Sequence, residues 1–468
     1  MPEEIEKISL QEQFEEVLDT GNRSSLQEFL DDQNIVDVAD LFYENETFGK
    51  DIITLLSIHR AASLFKILDL AEQKRIIKQL PPHKTAELLN ELPPDDRTSF
   101  LSLLPSNVVR ELVKTLDPEE RKVTLSLLGY PEGSVGRLMT PDYVYVYEND
   151  TVEDVLNTIR KYAKSSETID VIYVINAKGE LLDDIRIREF IIASPSTKVH
   201  EIMDERFIAL HAEDDQEIAN EAFKMNNRVA LPVVSKSNKL LGIVTIDDVL
   251  WVASEEFSED MQKMGGMEVL DEPYMDTPFA KLIRKRAGWL IVLFLGELLT
   301  ATALAYFNDE IAKATVLVMF MPLIASSGGN SGSQASTLII QAMAVGEVTI
   351  KDWWKVMRRE IFSGMALGGI LALIGFLRIC IWHGFMAHGL ITDLYGPHWL
   401  LIAFSVSIAL VGVVLWGTVA GSMLPIILKR LGADPAVSSA PFVATLVDVT
   451  GIIIYFSVAY LFLKGILL

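Results

Sequence analysis

Apolar positions follow three different patterns along the chain, and each predicts a different architecture. From about residue 10 to 130, short runs such as Thr85-Ala-Glu-Leu-Leu-Asn-Glu-Leu92 carry one apolar face at helical spacing. Leu80-Pro-Pro, Leu92-Pro-Pro, Leu104-Pro-Ser and Leu116-Asp-Pro recur every 12 residues. Proline stops the preceding helix and fits the first turn of the next, so each unit predicts one short helix and a turn. Stacked units would bury their apolar faces in a superhelix. An irregular helical bundle is the alternative, and the strict period favours the superhelix.

Near Gly133 the pattern changes to alternating strands and helices. Tyr143–Tyr147 and Val171–Ile175 predict strands, with a helix at Val152–Tyr162 between them. A second copy has Phe207–Leu210, a helix at Gln216–Met225, then Leu231–Val234 and Leu241–Thr245. The openings Gly136-Arg-Leu-Met-Thr-Pro141 and Val199-His-Glu-Ile-Met-Asp204 also correspond. This duplication resembles an α/β tandem CBS-domain pair over about 136–254, with halves at about 136–198 and 199–253. A polar-to-amphipathic stretch, residues 254–283, then reads as a connecting helix.

The last third holds five apolar stretches long enough to span a bilayer: about 287–307, 314–344, 361–382, 399–428 and 436–463. The second is interrupted by Ser326-Ser-Gly-Gly-Asn-Ser-Gly-Ser-Gln334, a sequence unsuited to a lipid-facing helix. Basic residues cluster on one side of the spans: Lys281, Arg284, Lys285 and Arg286, then Lys351, Lys355, Arg358 and Arg359, then Lys429 and Arg430, while the first outer loop has only Lys313. The loop from His383 to His398 has no Lys or Arg. The positive-inside rule therefore predicts a cytoplasmic soluble part and an outside C-terminus in a multi-pass cell (inner) membrane protein.

Charge sharpens this division. The 468 residues have a mean hydropathy of +0.28, yet a net charge of −23. Residues 281–468 hold 13 Lys+Arg against 9 Asp+Glu, so nearly all the acid lies in the first 280. That surface disfavours nucleic acid and favours cations. Cys380 is the only cysteine, which excludes a disulfide framework and a thiolate metal site. The start, Met1-Pro-Glu-Glu-Ile-Glu-Lys7, lacks the basic and apolar regions of a signal peptide.

Asp448 carries the sharpest functional signal, a carboxylate inside the final apolar stretch. Such a charge survives chiefly where it faces a bundle interior, a water path or an ion. A structural tether to a neighbouring helix is the other reading. Around Ser326–Gln334, freed carbonyls and the amides of Asn330 and Gln334 would offer oxygen dipoles to a cation. Close packing through small residues is the alternative there. Magnesium suits one or two carboxylates with oxygen dipoles, since it gives up water reluctantly. The soluble acids Asp95-Asp96, Asp183-Asp184, Asp214-Asp215 with Glu217, Asp247-Asp248, and Glu255-Glu256 with Glu259-Asp260 form a second candidate cation surface.

Taken together, the chain resembles the MgtE family of magnesium channels. The specific segments are Gly328-Gly-Asn-Ser-Gly-Ser-Gln334, Asp352-Trp-Trp-Lys355 and Asp434–Gly451. The resemblance implies a multidomain membrane protein: a helical-repeat N domain at 1–132, the CBS pair at 133–253, a plug helix at 254–283 and an all-α five-span domain at 284–468. It implies a homodimer in the lipid bilayer with its pore on the two-fold axis. Asp448 would hold hydrated Mg2+, with Gly328, Gly329, Asn330, Gly332, Gln334 and Ala444 lining the pore. Cytosolic Mg2+ would close the pore through Asp215, Glu217, Asp248, Glu256, Glu259 and Asp260, with Asp95 and Asp96 as N-domain partners. Asn227 and Trp251 stand where acids are expected. Thr245 and Asp248 fit the ribose contact of CBS pairs that bind ATP. Rival readings are a proton- or sodium-coupled carrier relaying through Asp448 and Glu297, and a membrane-anchored nucleotide sensor. A membrane aspartyl hydrolase needs two nearby aspartates, and the spans offer only Asp448, so no enzyme is expected.

Overall fold

The computed structural model describes residues 9–45, 48–270, 272–275, 277–388 and 394–466. The first seven residues, where a signal peptide is not expected, and 389–393 of the loop free of Lys and Arg lie outside these. The chain divides into two compact units, Met1–Glu256 and Phe257–Leu468.

In the first unit, short helices run from Leu10–Asp19 to Pro118–Leu128. The repeat sets their phase: Leu70–Gln79, Pro82–Glu91, Pro94–Ser102, Ser106–Thr115 and Pro118–Leu128 each begin 12 residues after the last. Leu80, Leu92 and Leu116 are held extended between helices and drop into the core. A second device recurs at twice the period. Gln73, Arg97 and Arg121 each reach back eight residues, to the carbonyls of Phe65, Leu89 and Val113, at 2.8, 3.1 and 3.0 Å. These side chains satisfy carbonyls that a helix end leaves without partners. Arg97 is fully buried by this role and also pairs with Glu120.

Two three-stranded sheets follow, each with one parallel and one antiparallel pairing. β1 (Tyr145–Tyr147), β2 (Val171–Ile175) and β3 (Leu181–Arg186) form the first; β4 (Leu210–His211), β5 (Ala230–Val234) and β6 (Leu240–Thr245) form the second. The helices at Val152–Tyr162 and Gln216–Met225 have the predicted bounds. The expected strands at Tyr143–Tyr147 and Phe207–Leu210 are shorter than read. β3 was not anticipated, because its Asp183-Asp184 pair reads as polar. Val171, Tyr173, Ala230, Val234 and Ile243 belong to one core shared by both sheets.

Helix α1 spans Ile246–Met264 and ends at Gly265-Gly266, so the expected connecting helix over 254–283 is corrected. Gly266 has φ +71, and a Cβ there would stand 2.7 Å from the Trp289 ring. Both facts require glycine. The next helix, α2, starts at Phe279 and runs to Tyr306.

The remaining long helices are α3 (Met321–Ala344), α4 (Trp353–Ala387), α5 (Trp399–Arg430) and α6 (Ala440–Leu463). Among the described residues four segments are long and apolar enough to cross a membrane: Phe279–Tyr306, Ile350–Met386, Gly396–Arg430 and Ala440–Leu463. The expected second span is different. α3 is too polar for that class, yet it is one unbroken helix through Ser326–Gln334. The break predicted there does not occur, because protein rather than lipid covers the glycines. A Cβ on Gly417 would stand 2.5 Å from the Gly328 carbonyl oxygen, and one on Gly421 would collide with that of Gly332. Gly328/Gly332 on α3 and Gly417/Gly421 on α5 thus form paired small-xxx-small faces that bring two backbones into contact.

Candidate cation sites

Asp448 lies one turn beyond Ala444 on α6, half-buried. Two serines of α3 fix the start of this helix. Ser333 Oγ donates to the Ala440 carbonyl at 2.9 Å, and Ser336 Oγ to that of Ser438 at 2.8 Å. A Cβ on Gly329 would stand 3.4 Å from Asp448 Oδ1 and 3.5 Å from the Ala444 Cβ. The bare α3 backbone is therefore flush with the carboxylate. Among the described residues no cation and no hydrogen-bond donor pairs with Asp448, which argues against a structural tether. Its charged neighbour is another acid, Glu297 of α2.

The expected pore-lining residues separate into two faces. Gly328 and Gly332 turn toward α5 and are buried, a correction to their expected place in the pore. Gly329 and Ala444 sit at Asp448, while Asn330 and Gln334 are exposed. Ser326, Asn330 and Gln334 share one exposed stripe of α3 at a four-residue interval, and Asn330 Nδ2 donates to Ser326 Oγ at 3.3 Å.

In the first unit, Asp95 and Asp96 occupy the first turn of the helix Pro94–Ser102, and Asp248 the first turn of α1. One carboxylate oxygen from each lies within 4.8 Å of the others. Asp95 is 5% exposed, and its Oδ1 has no hydrogen-bond partner. Lys66 Nζ lies 3.0 Å from Asp96 and 3.8 Å from Asp247. Burial, then the charges of Asp248 and Asp96, push the Asp95 carboxyl well above the usual carboxylate range. Burial raises Asp96 too, against the pull of Lys66. It pushes Asp248 up to about 6, opposed by the 2.5 Å hydrogen bond from Thr245 Oγ1. Half-buried Glu167 is raised by burial as well, with Asp248 and Asp96 among its charged neighbours. Three carboxyls that resist ionising together, served by one ammonium, suit a divalent ion with oxygen preference.

The other expected sensor acids are not gathered into such a group; among the described residues, Asp95, Asp96 and Asp248 make the only one. Asp215 caps the helix Gln216–Met225 by accepting from the Glu217 amide at 2.9 Å. Gln216 Nε2 donates to Glu256 at 2.6 Å. Glu259 pairs with Lys263, which also donates to Asp434 at 2.6 Å. Glu217 and Asp260 carry interactions of their own. Of the two departures, Trp251 is exposed, and the Asn227 carbonyl accepts from Arg186 at 2.7 Å.

Asp183-Asp184 requires correction as a cation surface, because both are buried in β3. Asp183 accepts from the amides of Asp204 and Glu205 at 2.8 and 3.1 Å, and Asp184 pairs with Arg228 at 2.8 Å. Lys66 and Glu167 were missed at the carboxylate cluster. Neither stands in a motif, and only folding brings them to Asp96 and Asp248.

Three profiles match the chain: "MgtE intracellular N domain" over residues 13–133, "CBS domain" over 135–196 and 199–255, and "Divalent cation transporter" over 321–458. A protein named magnesium transporter MgtE from Thermus thermophilus is 38% identical over 337 residues, 72% of either chain. One of the same name from Bacillus subtilis is 30% identical over 340 residues, 72% of this chain and 71% of that one. Among solved structures, the cytosolic domain of the Mg2+ channel MgtE in complex with ATP is 35% identical, with a TM-score of 0.50 over 52% of this chain and 99% of its own. The soluble part of a magnesium transporter is 26% identical, with a TM-score of 0.50 over 53% of this chain and 99% of its own.

Proposed function

This chain belongs to the MgtE family, and from that membership we propose that it transports Mg2+ across the membrane past Asp448. One observation carries the assignment to Asp448: a carboxylate without a counter-ion, deep in an apolar helix, against a bare glycine backbone. Such a group attracts a hydrated cation without the full cage that would trap it, as conduction requires. The stripe Ser326–Asn330–Gln334 supplies neutral oxygen dipoles on the adjoining helix. α2 has no buried residue, and the stripe is open in one copy. Both features support a homodimer in which two copies of Asp448 face one ion on the two-fold axis. The basic flanks of the spans support a cytoplasmic soluble part and an outside C-terminus.

Cytosolic Mg2+ acts as regulator at Asp95, Asp96 and Asp248. An ion there binds the compact arrangement of the first unit better than a loose one, and so shifts the population toward it. Glu259 and Asp260 extend this control along α1. The ATP complex of the cytosolic-domain relative supports a nucleotide at the CBS pair, with Thr245 and Asp248 as the ribose contact.

Mg2+ uptake by proteoliposomes tests the pore assignment. Asp448→Asn should lower the flux by at least about tenfold, the size of one lost charge contact. Undiminished flux in that variant sinks it. For the regulator, the double variant Asp95→Asn/Asp248→Asn should keep conducting when the cytosolic face sees millimolar Mg2+. Closure at the wild-type concentration would remove these residues from gating.

A further inference from the structure

A cavity of about 510 Å³ opens in the second unit between the start of α3, the far part of α4 and Tyr395. Leu323, Ser326, Ser327, Arg378, Trp382 and Tyr395 are among its walls. Arg378 is the only charged group of that lining. Its guanidinium stacks on Trp382 at 4.7 Å and donates to the Tyr395 hydroxyl at 3.5 Å. Among the described residues no carboxylate pairs with it, and the side chain is exposed, so most of its five donors are open to a partner from outside. Such a guanidinium suits an anion.

Depth identifies which anion. Arg378 stands about 27 Å further along α4 than Glu360, at 1.5 Å per residue, close to the thickness of a bilayer core. Glu360 follows the basic run Lys355–Arg359 at one membrane surface. Arg378 is therefore level with the phosphates of the opposite leaflet. The apolar side of the cavity, Met319, Phe320 and Leu323, suits an acyl chain below a headgroup. Among the described residues no carboxylate stands beside it to receive a zwitterion's ammonium. We propose that this cavity binds the phosphodiester of an anionic glycerophospholipid, with Arg378 as the headgroup contact.

Native mass spectrometry of the full chain in a non-ionic detergent tests this, with dioleoylphosphatidylglycerol, dioleoylphosphatidylcholine and inorganic phosphate as probes. Phosphatidylglycerol should be retained by the wild type and phosphatidylcholine lost. Arg378→Gln should weaken retention about tenfold, the size expected of a charged hydrogen bond. Leu323→Trp, which fills the cavity and leaves the guanidinium intact, should weaken it as well. Phosphatidylglycerol should also raise the wild-type melting temperature more than phosphatidylcholine does, a readout that needs no variant. Equal retention or equal stabilisation by the two lipids would overturn the proposal. So would unchanged binding in Arg378→Gln, or displacement of the lipid by millimolar phosphate, which would mark a site for free anions.

Discussion

Asp248 shows how burial changes an ordinary acid. Its carboxyl is pushed up to about 6, above the value near 4 of an unfolded chain. The folded state therefore holds its proton more tightly, and between about pH 4 and pH 6 it binds more protons than the unfolded state. In the absence of metal, the contribution of Asp248 to stability falls as pH rises through that window. A divalent ion needs the ionised form, so protons compete with it. Mg2+ should raise the melting temperature of the full chain clearly at pH 7.5 and much less at pH 5.5. Asp248→Asn should remove most of the shift at both pH values and stabilise the metal-free protein at pH 7.5. Thermal unfolding over a Mg2+ series checks this, and an equal shift in the variant would exclude Asp248 as a ligand.

At the scale of elements, two devices hold the helices together, and each has a measurable cost. Arg97 satisfies the carbonyls of Leu89, Asn90 and Leu92 from a fully buried position and pairs with Glu120. Arg97→Met should destabilise the first unit by about 3 kcal/mol, because it strands buried carbonyls and a carboxylate. Urea unfolding followed by circular dichroism reads this; a change within error would show that water replaces the guanidinium. In the second unit, Gly421→Leu forces α5 away from the Gly332 carbonyl. Overpacking of this kind costs about 1–3 kcal/mol, so the variant should melt lower in detergent. Gly369→Ala is the control, since nothing lies within 4 Å of a Cβ there. If both variants melt alike, the α3–α5 backbone contact is not what holds the pair.

For the whole molecule, the control proposed above runs through the acids of α1. Lys263 bridges Glu259 and Asp434. An entering Mg2+ has to compete with that ammonium for Glu259. Glu259→Gln with Asp260→Asn should leave the channel conducting at cytosolic Mg2+ that closes the wild type. Lys263→Met should move closure to lower Mg2+, by roughly threefold to tenfold, because the resident cation is gone. Patch recordings across a Mg2+ series distinguish these outcomes, and identical closure in both variants would remove α1 from the control of the pore.

The sequence by itself determined the order of the parts. Local chemistry is enough for that: proline and leucine every 12 residues phase the short helices, period-2 and helical runs mark the CBS pair, and long apolar stretches mark the membrane part, although they read as five spans where the described residues hold four helices of that class. It also singled out Asp448, because a charge among so many apolar neighbours is visible without knowing what it touches. The tertiary structure alone decided which residues meet. Ser326–Gln334 reads as a broken span, yet glycines on α5 let its backbone pack as an intact helix. Asp183-Asp184 and Asp95-Asp96 look alike as acidic pairs. The first is held within β3, Asp183 by backbone amides and Asp184 by Arg228, while the second meets Asp248 and Lys66 from distant parts of the chain. Dipeptide composition carries no information about long-range contacts, and those contacts separate a carboxylate pair fixed within its strand from one that joins a third carboxylate around a common point.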